Sequence, residues 1–267
     1  MHWHLITDRD PGGCVDLGDR GLHYGDGLFE TMLQSGQHIL YWNGHYRRLS
    51  RDAARLGIAC PPKGVLLDAL QPSLDEGGQR IIKLILTRGS DGRGPYWPQR
   101  QTACIYLLHS EYIPDKQEVT AGFSKHSLPE NPPLAGIKHL NRLDYILASR
   151  ELAGREDCDQ LILLDRAGRV IETLVHNLFL VRDGRVSTPS LQRCGVAGVM
   201  REQVIKSLER MGKAVRIDDC SRNDLLTADE LFVCNSVQGI RALTRIDGRE
   251  FPAGPLTQEL QRLFNEH

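Results

Sequence analysis

The sequence has no excess charge of either sign, no long apolar run and no paired cysteine spacing. Its 267 residues include 33 Lys and Arg against 34 Asp and Glu, so the formal net charge is -1. A near-neutral chain has no overall field that would hold nucleic acid or an anionic membrane surface, so we expect neither as a partner. No apolar stretch approaches the ~20 residues that a helix needs to cross a bilayer. The run Ile81–Leu86 is strand-sized, and Lys83 interrupts it.

The cysteines and histidines show no metal-site or disulfide spacing. Such sites need paired spacing, and no CxxC occurs. The N-terminal residues also have neither the basic nor the apolar region of a secretory signal peptide, so none is expected. We therefore predict reduced, mostly buried thiols in a cytoplasmic protein without a metal site. The seven cysteines are Cys14, Cys60, Cys104, Cys158, Cys194, Cys220 and Cys234.

Short strand patterns and helical patterns alternate along the chain without a regular β-α-β rhythm. This order predicts an α+β protein with mixed sheets rather than a doubly wound fold. The dipeptides Ser35-Gly36, Asp183-Gly184 and Asp247-Gly248 each lie between two strand patterns and predict hairpin turns. Helical spacing covers Asn43–Leu56 and Ala197–Met211, among other segments.

A polar stretch around Glu111–Glu118, which contains Pro114, predicts a domain linker. We therefore expect a smaller N-terminal α+β domain over residues 1–112, a linker over 113–118, and a larger C-terminal domain over 119–267. Further along, Asn141 is predicted to cap a helix that runs to about Ala153.

Three features suggest chemistry, and each has a plain structural alternative. Lys138 lies in an apolar, loop-like stretch, and a lysine held away from water can form a Schiff base, although most lysines are solvated surface residues. The glycines of Gly195–Arg201 precede a helix and could present N–H groups to a phosphate, or could simply turn the chain. The loop Gly89–Gly94 is not followed by GK[ST], so it is not a P-loop. It is either a flexible lid carrying Arg93 or a solvated hairpin tip.

Six segments in order resemble the fold-type IV pyridoxal-phosphate enzymes, and the resemblance spans nearly the whole chain. Within the fourth segment, GIKHLNRL at Gly136–Leu143 is similar in particular to the branch of that family that acts on 4-amino-4-deoxychorismate. Six motifs in the family's order make chance agreement implausible. The segments are DRGLHYGDGLFET (Asp19–Thr31), HYRRL (His45–Leu49), LTRGSDGRG (Leu86–Gly94), LAGIKHLNRLDYILASREL (Leu134–Leu152), IETLVHNLF (Ile171–Phe179) and GVAGVMR (Gly195–Arg201).

The resemblance implies a pyridoxal 5'-phosphate cofactor in a site between the two domains. Lys138 would hold the cofactor as an internal aldimine and later move protons. Glu172 matches the carboxylate that faces the pyridine nitrogen and keeps the ring protonated, which makes the ring a better electron sink. The cofactor phosphate would be held by the guanidinium of Arg48, by the backbone N–H groups of Val199 and Met200, and by the hydroxyl of Ser236.

The resemblance also implies a reaction, a substrate contact and a dimer. The amine of 4-amino-4-deoxychorismate would displace Lys138, Lys138 would remove the C4 proton, and loss of the enolpyruvyl group would give 4-aminobenzoate and pyruvate. Arg93 aligns with a position that meets substrate carboxylates in related aminotransferases. Pro95 shifts Tyr96 from the place where the family has an aromatic residue, so a substrate role for Tyr96 is not carried over. Enzymes of this type are usually homodimers.

Two other functions remain open on the sequence. An aminotransferase for branched-chain or D-amino acids would use the same Lys138, Arg48 and Glu172. The segment His139–Arg142 favours the lyase, because it is unlike the transaminase versions of this segment. A non-catalytic cofactor-binding homologue is the third possibility, and the presence of both Lys138 and Glu172 argues against it. Asn177 is expected to be a structural hydrogen-bonding residue.

Overall fold

A computed structural model describes residues 3–7, 14–92, 94–100, 102–114 and 118–265. The chain divides into two compact units. The first contains the residues up to Ile113 together with Lys138–Asn141, and the second contains Pro114–Ile137 and the chain from Arg142 onward. The limits predicted for the second domain, 119–267, did not anticipate that Lys138–Asn141 pack with the first unit.

The first unit is built on a five-stranded mixed sheet. The strand order is β1-β5-β4-β2-β3, in which β1 and β5 are parallel and the other pairs are antiparallel. The strands are β1 (Trp3–Thr7), β2 (Gly27–Ser35), β3 (His38–Ile39), β4 (Gln79–Thr87) and β5 (Ala103–Glu111), and the helices are α1 (Arg20–Tyr24), α2 (Trp42–Leu56) and α3 (Lys63–Glu76).

The apolar faces of β2 and α2 form the part of this core that carries the site. Helix α2 packs on β2, and its apolar face buries Leu49 and Ala53. Met32 of β2 is fully buried in the same unit. Strand β3 pairs only with the Gln34–Ser35 end of β2, and the turn between them is Gly36-Gln37, one residue later than the predicted Ser35-Gly36. The Gly27 end of β2 therefore keeps an edge to which another segment can pair.

The second unit is built on a larger mixed sheet. The strand order is β11-β10-β9-β12-β13-β6-β7-β8, with β14 paired to β13. The strands are β6 (Glu118–Leu128), β7 (Gln160–Asp165), β8 (Val170–Thr173), β9 (Asn177–Arg182), β10 (Arg185–Pro189), β11 (Val215–Asp218), β12 (Glu230–Asn235), β13 (Gly239–Ile246) and β14 (Arg249–Glu250). The helices are α4 (Leu143–Ser149), followed by a 3-10 turn (Arg150–Leu152), α5 (Val199–Arg210), α6 (Arg222–Leu226) and α7 (Pro255–Asn265).

Neighbouring strands at the centre of this sheet are buried along almost their whole length. All but the last residue of β9 and of β12 is buried, which explains their nearly continuous apolar sequences. Phe179 and Phe232 stack with ring centroids 4.8 Å apart. These strands form a rigid platform for the residues at their ends.

Local predictions met different outcomes. The α+β class with mixed sheets is confirmed, and so are the two later hairpins. Asp183 and Gly184 have φ of 50° and 71°, and Asp247 and Gly248 have 43° and 85°, as a two-residue turn with a left-handed backbone requires. The prediction that Asn141 caps a helix is wrong. Helix α4 begins at Leu143, and Asn141 instead donates from Nδ2 to the carbonyl of Gly25 at 3.1 Å.

No helix in the described ranges is both long enough and apolar enough to cross a membrane.

Candidate active site

Lys138 lies on the edge of β2 that β3 leaves uncovered. Phe29 N–H donates to the carbonyl of Lys138, and Leu140 N–H donates to the carbonyl of Gly27, both at 3.0 Å. A Cβ on Gly27 would lie 2.7 Å from Leu140 Cδ1, so glycine permits this close approach. The Nζ of Lys138 lies 4.2 Å from the centroid of the Phe29 ring. The segment is thereby held by an isolated antiparallel bridge between Leu28 and His139, with Lys138 beside an aromatic ring.

Asp52 supports the same lysine from α2. Its carboxylate accepts a hydrogen bond from the backbone N–H of Lys138 at 3.4 Å and one from Arg51 Nε at 2.8 Å. Burial raises the pKa of Asp52, against the opposing effect of Arg51. Asp52 therefore ties the lysine segment to α2 through the backbone.

A buried cluster of Glu30, His45 and Arg48 lies beside this lysine. Arg48 donates two hydrogen bonds to Glu30 from one edge of the guanidinium, Nε to Oε1 at 2.8 Å and Nη2 to Oε2 at 2.5 Å. His45 Nδ1 lies 2.6 Å from Glu30 Oε2. A guanidinium has five N–H donors, so pairing with Glu30 does not prevent Arg48 from donating to a phosphate.

The electrostatics of this cluster fix its protonation. Burial alone would raise the pKa of Glu30, but the charge and hydrogen bonds of Arg48 and the contact with His45 lower it to about 2. Burial, together with the charges of Arg48 and Lys138, lowers the pKa of His45 although Glu30 opposes this. Glu30 is thus ionised and His45 neutral near pH 7. Nδ1 of His45 must then carry the proton that it donates to Glu30.

His45 has one nitrogen that the described residues leave unsatisfied. Its Nε2 is buried and meets no hydrogen-bond partner in the described part of the chain. Buried polar atoms are nearly always hydrogen-bonded, so such an atom indicates a site for a polar ligand or water. The charge of Lys138 contributes to the lowered pKa of His45, so the imidazole and the lysine amine interact electrostatically.

A second lysine lies over the same aromatic ring as Lys138. Lys83, an exposed residue of β4, has its Nζ 5.3 Å from the centroid of Phe29. Lys83 is also the one charged residue that interrupts the apolar run Ile81–Leu86. Phe29 therefore has two amines over its ring, one exposed and one on the strand edge.

In the second unit, Glu172 forms a buried carboxylate with several donors. Oε2 accepts hydrogen bonds from Asn177 Nδ2 and from the backbone N–H of Val196, each at 3.1 Å. Oε1 accepts a short hydrogen bond from the hydroxyl of Tyr145. Glu172 is only 4% exposed, so these contacts fix its orientation away from bulk water.

The start of α5 lies next to this carboxylate. Asn177 joins the two, because its Oδ1 accepts from the N–H of Gly198, the residue before the helix, at 3.1 Å. No described side chain caps the helix, which begins at Val199 and continues with Met200. The first N–H groups of a helix have no partner within it and favour an anion. The prediction that Asn177 is a structural hydrogen-bonding residue is confirmed by these bonds.

Two further predicted residues are Ser236 and Arg93. Ser236 lies in the turn between β12 and β13, two residues beyond Cys234, which pairs with Asn177 across the sheet. Arg93 lies outside the described residues. The chain that follows it makes two contacts, since Arg20 donates to the carbonyl of Gly94 at 3.0 Å and Arg88 lies 4.2 Å from the Trp97 ring centroid.

Each unit, taken by itself, offers groups that suit a part of pyridoxal phosphate. The first unit offers a lysine amine for an aldehyde, a guanidinium, and an unsatisfied imidazole nitrogen. The second unit offers a buried carboxylate for a ring nitrogen and an uncapped helix start for a phosphate. A Cβ on Gly198 would lie 2.1 Å from Asn177 Oδ1, so the turn before the helix tolerates only glycine. In the described ranges, no three His, Cys, Asp or Glu residues are grouped to hold a metal ion.

The chain belongs to the class IV amino-transferase family, which it matches over residues 27–246. Among its relatives is an aminodeoxychorismate lyase of Vibrio harveyi, 35% identical over 96% of this chain and 97% of the relative. A crystal structure of 4-amino-4-deoxychorismate lyase from Pseudomonas aeruginosa superposes with a TM-score of 0.89, with 36% identity and 96% of each chain covered. A D-alanine aminotransferase of Listeria monocytogenes is 28% identical over 98% of this chain and 93% of the relative.

Sequence reasoning missed the residues that support the predicted ones. Glu30 and His45 both lie inside quoted motifs, yet a charged residue within a motif gives no sign of its partner. Asp52 follows α2 residue Arg48 by four positions, so helical spacing places both on one face. Tyr145 follows Lys138 by seven positions, and only the fold brings it to Glu172.

Proposed function

We propose that this protein is a pyridoxal-phosphate-dependent lyase that converts 4-amino-4-deoxychorismate to 4-aminobenzoate and pyruvate, a step of folate biosynthesis. The observation that carries the proposal is the segment Gly136–Leu143, in which Lys138 hydrogen-bonds to the edge of β2. The chain that contains this segment is 35% identical to a lyase over almost its whole length. The aminotransferase relatives are less similar, at 28% identity for the D-alanine enzyme.

Six of the predicted residues would hold the cofactor. Lys138 would hold its aldehyde carbon, and Glu172 would face its pyridine nitrogen. Arg48 and the N–H groups of Val199 and Met200 would bind its phosphate, with the hydroxyl of Ser236 as a further donor. When bound, the cofactor supplies a ring that accepts the electron pair left by proton removal.

Proton transfer falls to Lys138. Once the substrate amine has displaced it, Nζ of Lys138 is a neutral base that removes the C4 proton of the substrate. The C3–O bond then breaks, the ring becomes aromatic, and Nζ returns the proton to the methylene carbon of the enolpyruvate, which leaves as pyruvate. The β2 edge and Asp52 fix the lysine backbone, so the amine stays within reach of both carbon atoms.

Lys83 is proposed to bind a carboxylate of the substrate through its positive charge. 4-Amino-4-deoxychorismate carries two carboxylates, and Lys83 is an exposed amine on the same ring as Lys138. An ammonium group is a strongly hydrated point charge that suits a solvent-accessible carboxylate. Arg93 is a second candidate for this role, by its place in the family motif.

The protein is further proposed to act as a cytoplasmic homodimer. All seven cysteines are free, as expected for a reducing compartment. Helix α4 exposes Leu143, Ile146 and Leu147, which are 69%, 57% and 38% exposed. Their spacing places them on one helix face, and an apolar face of this kind favours contact with a second copy.

The test is product formation from enzymatically generated aminodeoxychorismate. The protein should release 4-aminobenzoate and pyruvate in equal amounts, and Lys138→Ala should abolish release. Borohydride reduction should attach the cofactor to the peptide containing Lys138. Lys83→Gln should raise KM with little change in kcat, whereas Lys125→Gln, a change at an exposed strand lysine of the second unit, should leave both unchanged. Release that persists in Lys138→Ala would overturn the mechanism.

A further inference from the structure

Among the described residues, the hydroxyl of Tyr145 donates to Glu172 from a helix. Asn177, from the sheet, and the backbone N–H of Val196 also donate to this carboxylate. Tyr145 lies on α4, in the segment that follows Lys138, and makes the short contact to Oε1. The orientation of Glu172 thus depends on α4 as well as on the sheet.

The phenol of Tyr145 can only donate in this contact. Burial raises its pKa well above the usual range, and the negative charge of Glu172 raises it further, while Arg142 opposes the shift. The guanidinium carbon of Arg142 lies 4.6 Å from the centre of the Tyr145 ring, and Arg142 also donates to the carbonyl of Ile137 at 3.3 Å. Cys194 also raises the pKa of Tyr145. The ring is therefore fixed with its proton directed at the carboxylate.

A hydrogen bond to the ionised form of a carboxylate makes the carboxylate a weaker base. A bond from a neutral donor to a charged acceptor is stronger than one between neutral groups. In the proposed enzyme, Glu172 and the pyridine nitrogen of the cofactor compete for one proton. Weakening Glu172 as a base leaves that proton on the ring nitrogen.

We propose that Tyr145 is a positioning residue that keeps Glu172 ionised and oriented, so that the proton shared with the cofactor stays on the pyridine nitrogen. This inference rests on the proposed binding of pyridoxal phosphate. It assigns to Tyr145 control over how strongly the ring accepts electrons. Tyr145 itself does not touch the reacting atoms.

The test is the nitrogen-15 NMR shift of the ring nitrogen in protein reconstituted with ring-labelled cofactor. Tyr145→Phe should move the resonance toward the value of the unprotonated ring, by a roughly tenfold change in the ratio of protonated to unprotonated ring. Replacing Tyr145 with 3-fluorotyrosine, a stronger donor of the same shape, should move the resonance the other way. A purely structural role would not produce shifts of opposite sign.

The control is Tyr106→Phe. Tyr106 also donates to a buried carboxylate, Asp19 Oδ2 at 2.7 Å, but in the first unit. Tyr106→Phe should remove the hydrogen bond to Asp19 without moving the nitrogen-15 resonance of the cofactor ring. A Tyr145→Phe protein that releases 4-aminobenzoate and shows the wild-type resonance would overturn the role of Tyr145 and leave the proposed lyase intact. A protonated ring in a wild-type protein that forms no 4-aminobenzoate, with the two opposite shifts still seen, would overturn the lyase and leave Tyr145 in place.

Discussion

Glu30 holds a guanidinium and an imidazole at once in the first unit. It is 2% exposed, and neither Arg48 nor His45 reaches bulk water to any extent. A buried charge is tolerated only when it is paired, and removing one partner is costly. The ion pair therefore fixes the orientation of Arg48, which is predicted to bind the cofactor phosphate, and it also stabilises the first unit.

Replacing Glu30 with Gln should lower the free energy of unfolding at pH 7 by about 3 kcal/mol, because Arg48 is left as a buried charge without its counter-ion. Urea unfolding followed by circular dichroism measures this change. Glu111→Gln, which alters an exposed glutamate of β5, is the control and should be near neutral. Equal stability of both variants would contradict the structural role of the cluster.

The cluster of Glu30, His45 and Arg48 makes the stability of the folded protein depend on pH. The pKa of Glu30 falls from 4.5 to about 2 on folding, so its contribution is present above pH 4.5 and lost as the pH falls toward 2. A shift of this size corresponds to about 3 kcal/mol. The pKa of His45 is also lowered, so its contribution is lost as the pH falls below 6.5. The wild-type protein should lose stability in both ranges, and Glu30→Gln should lack the loss between pH 4.5 and 2.

Among the elements, the start of α5 is linked to the carboxylate of Glu172 by the side chain of Asn177, which hydrogen-bonds to both. Gly198 has φ of -67°, which any residue adopts, so only space restricts this position to glycine. A Cβ there would displace the amide oxygen of Asn177. The helix start and the orientation of Glu172 would then change together.

Gly198→Ala should therefore weaken binding of pyridoxal phosphate at least tenfold. Equilibrium titration of the apoprotein, followed by fluorescence quenching, measures the dissociation constant. The matched control is Gly64→Ala in α3, where an added Cβ meets nothing within 4 Å and should stabilise the helix by about 1 kcal/mol. Unchanged affinity in Gly198→Ala would show that the start of α5 is not part of the phosphate site.

The elements that the sequence predicted best are those with strong local signals. The helix at Asn43–Leu56 and the turns at Asp183-Gly184 and Asp247-Gly248 follow from spacing and backbone preference alone. Strand β11 and helix α6 are short and carry no such pattern, so they went unpredicted. The bridge that Lys138–Leu140 make to β2 depends on β3 being too short to cover β2, and no local sequence pattern predicts that.

The candidate site divides in the same way. The order of the motifs predicted Lys138, Arg48 and Glu172, because each of these residues stands at a position where the family's motif has a cofactor-binding residue. Tyr145 and the pairing of Glu30 with Arg48 depend on contacts between distant segments, and no spacing rule reports those. The error at Asn141 has a physical reason, because its amide reaches Gly25 in another segment instead of the helix that follows it.

For the whole molecule, the exposed face of α4 predicts assembly. Sedimentation equilibrium should give twice the mass of one chain. Ile146→Asp should shift the protein toward monomer, because it puts a charge into an apolar interface. Leu263→Asp, at a 53% exposed position on α7, is the control and should leave the dimer intact. A monomeric wild-type protein, or a dimer insensitive to Ile146→Asp, would contradict this use of α4.

We propose that this chain is a lyase rather than an aminotransferase, although both enzymes would use Lys138. The most direct measurement compares, in one preparation, the rate of 4-aminobenzoate release from aminodeoxychorismate with the rate of 2-oxo acid formation from D-alanine and branched-chain amino acids. We predict release of 4-aminobenzoate at least a hundredfold faster than transamination. Transamination as the faster reaction, with no 4-aminobenzoate formed, would contradict the account.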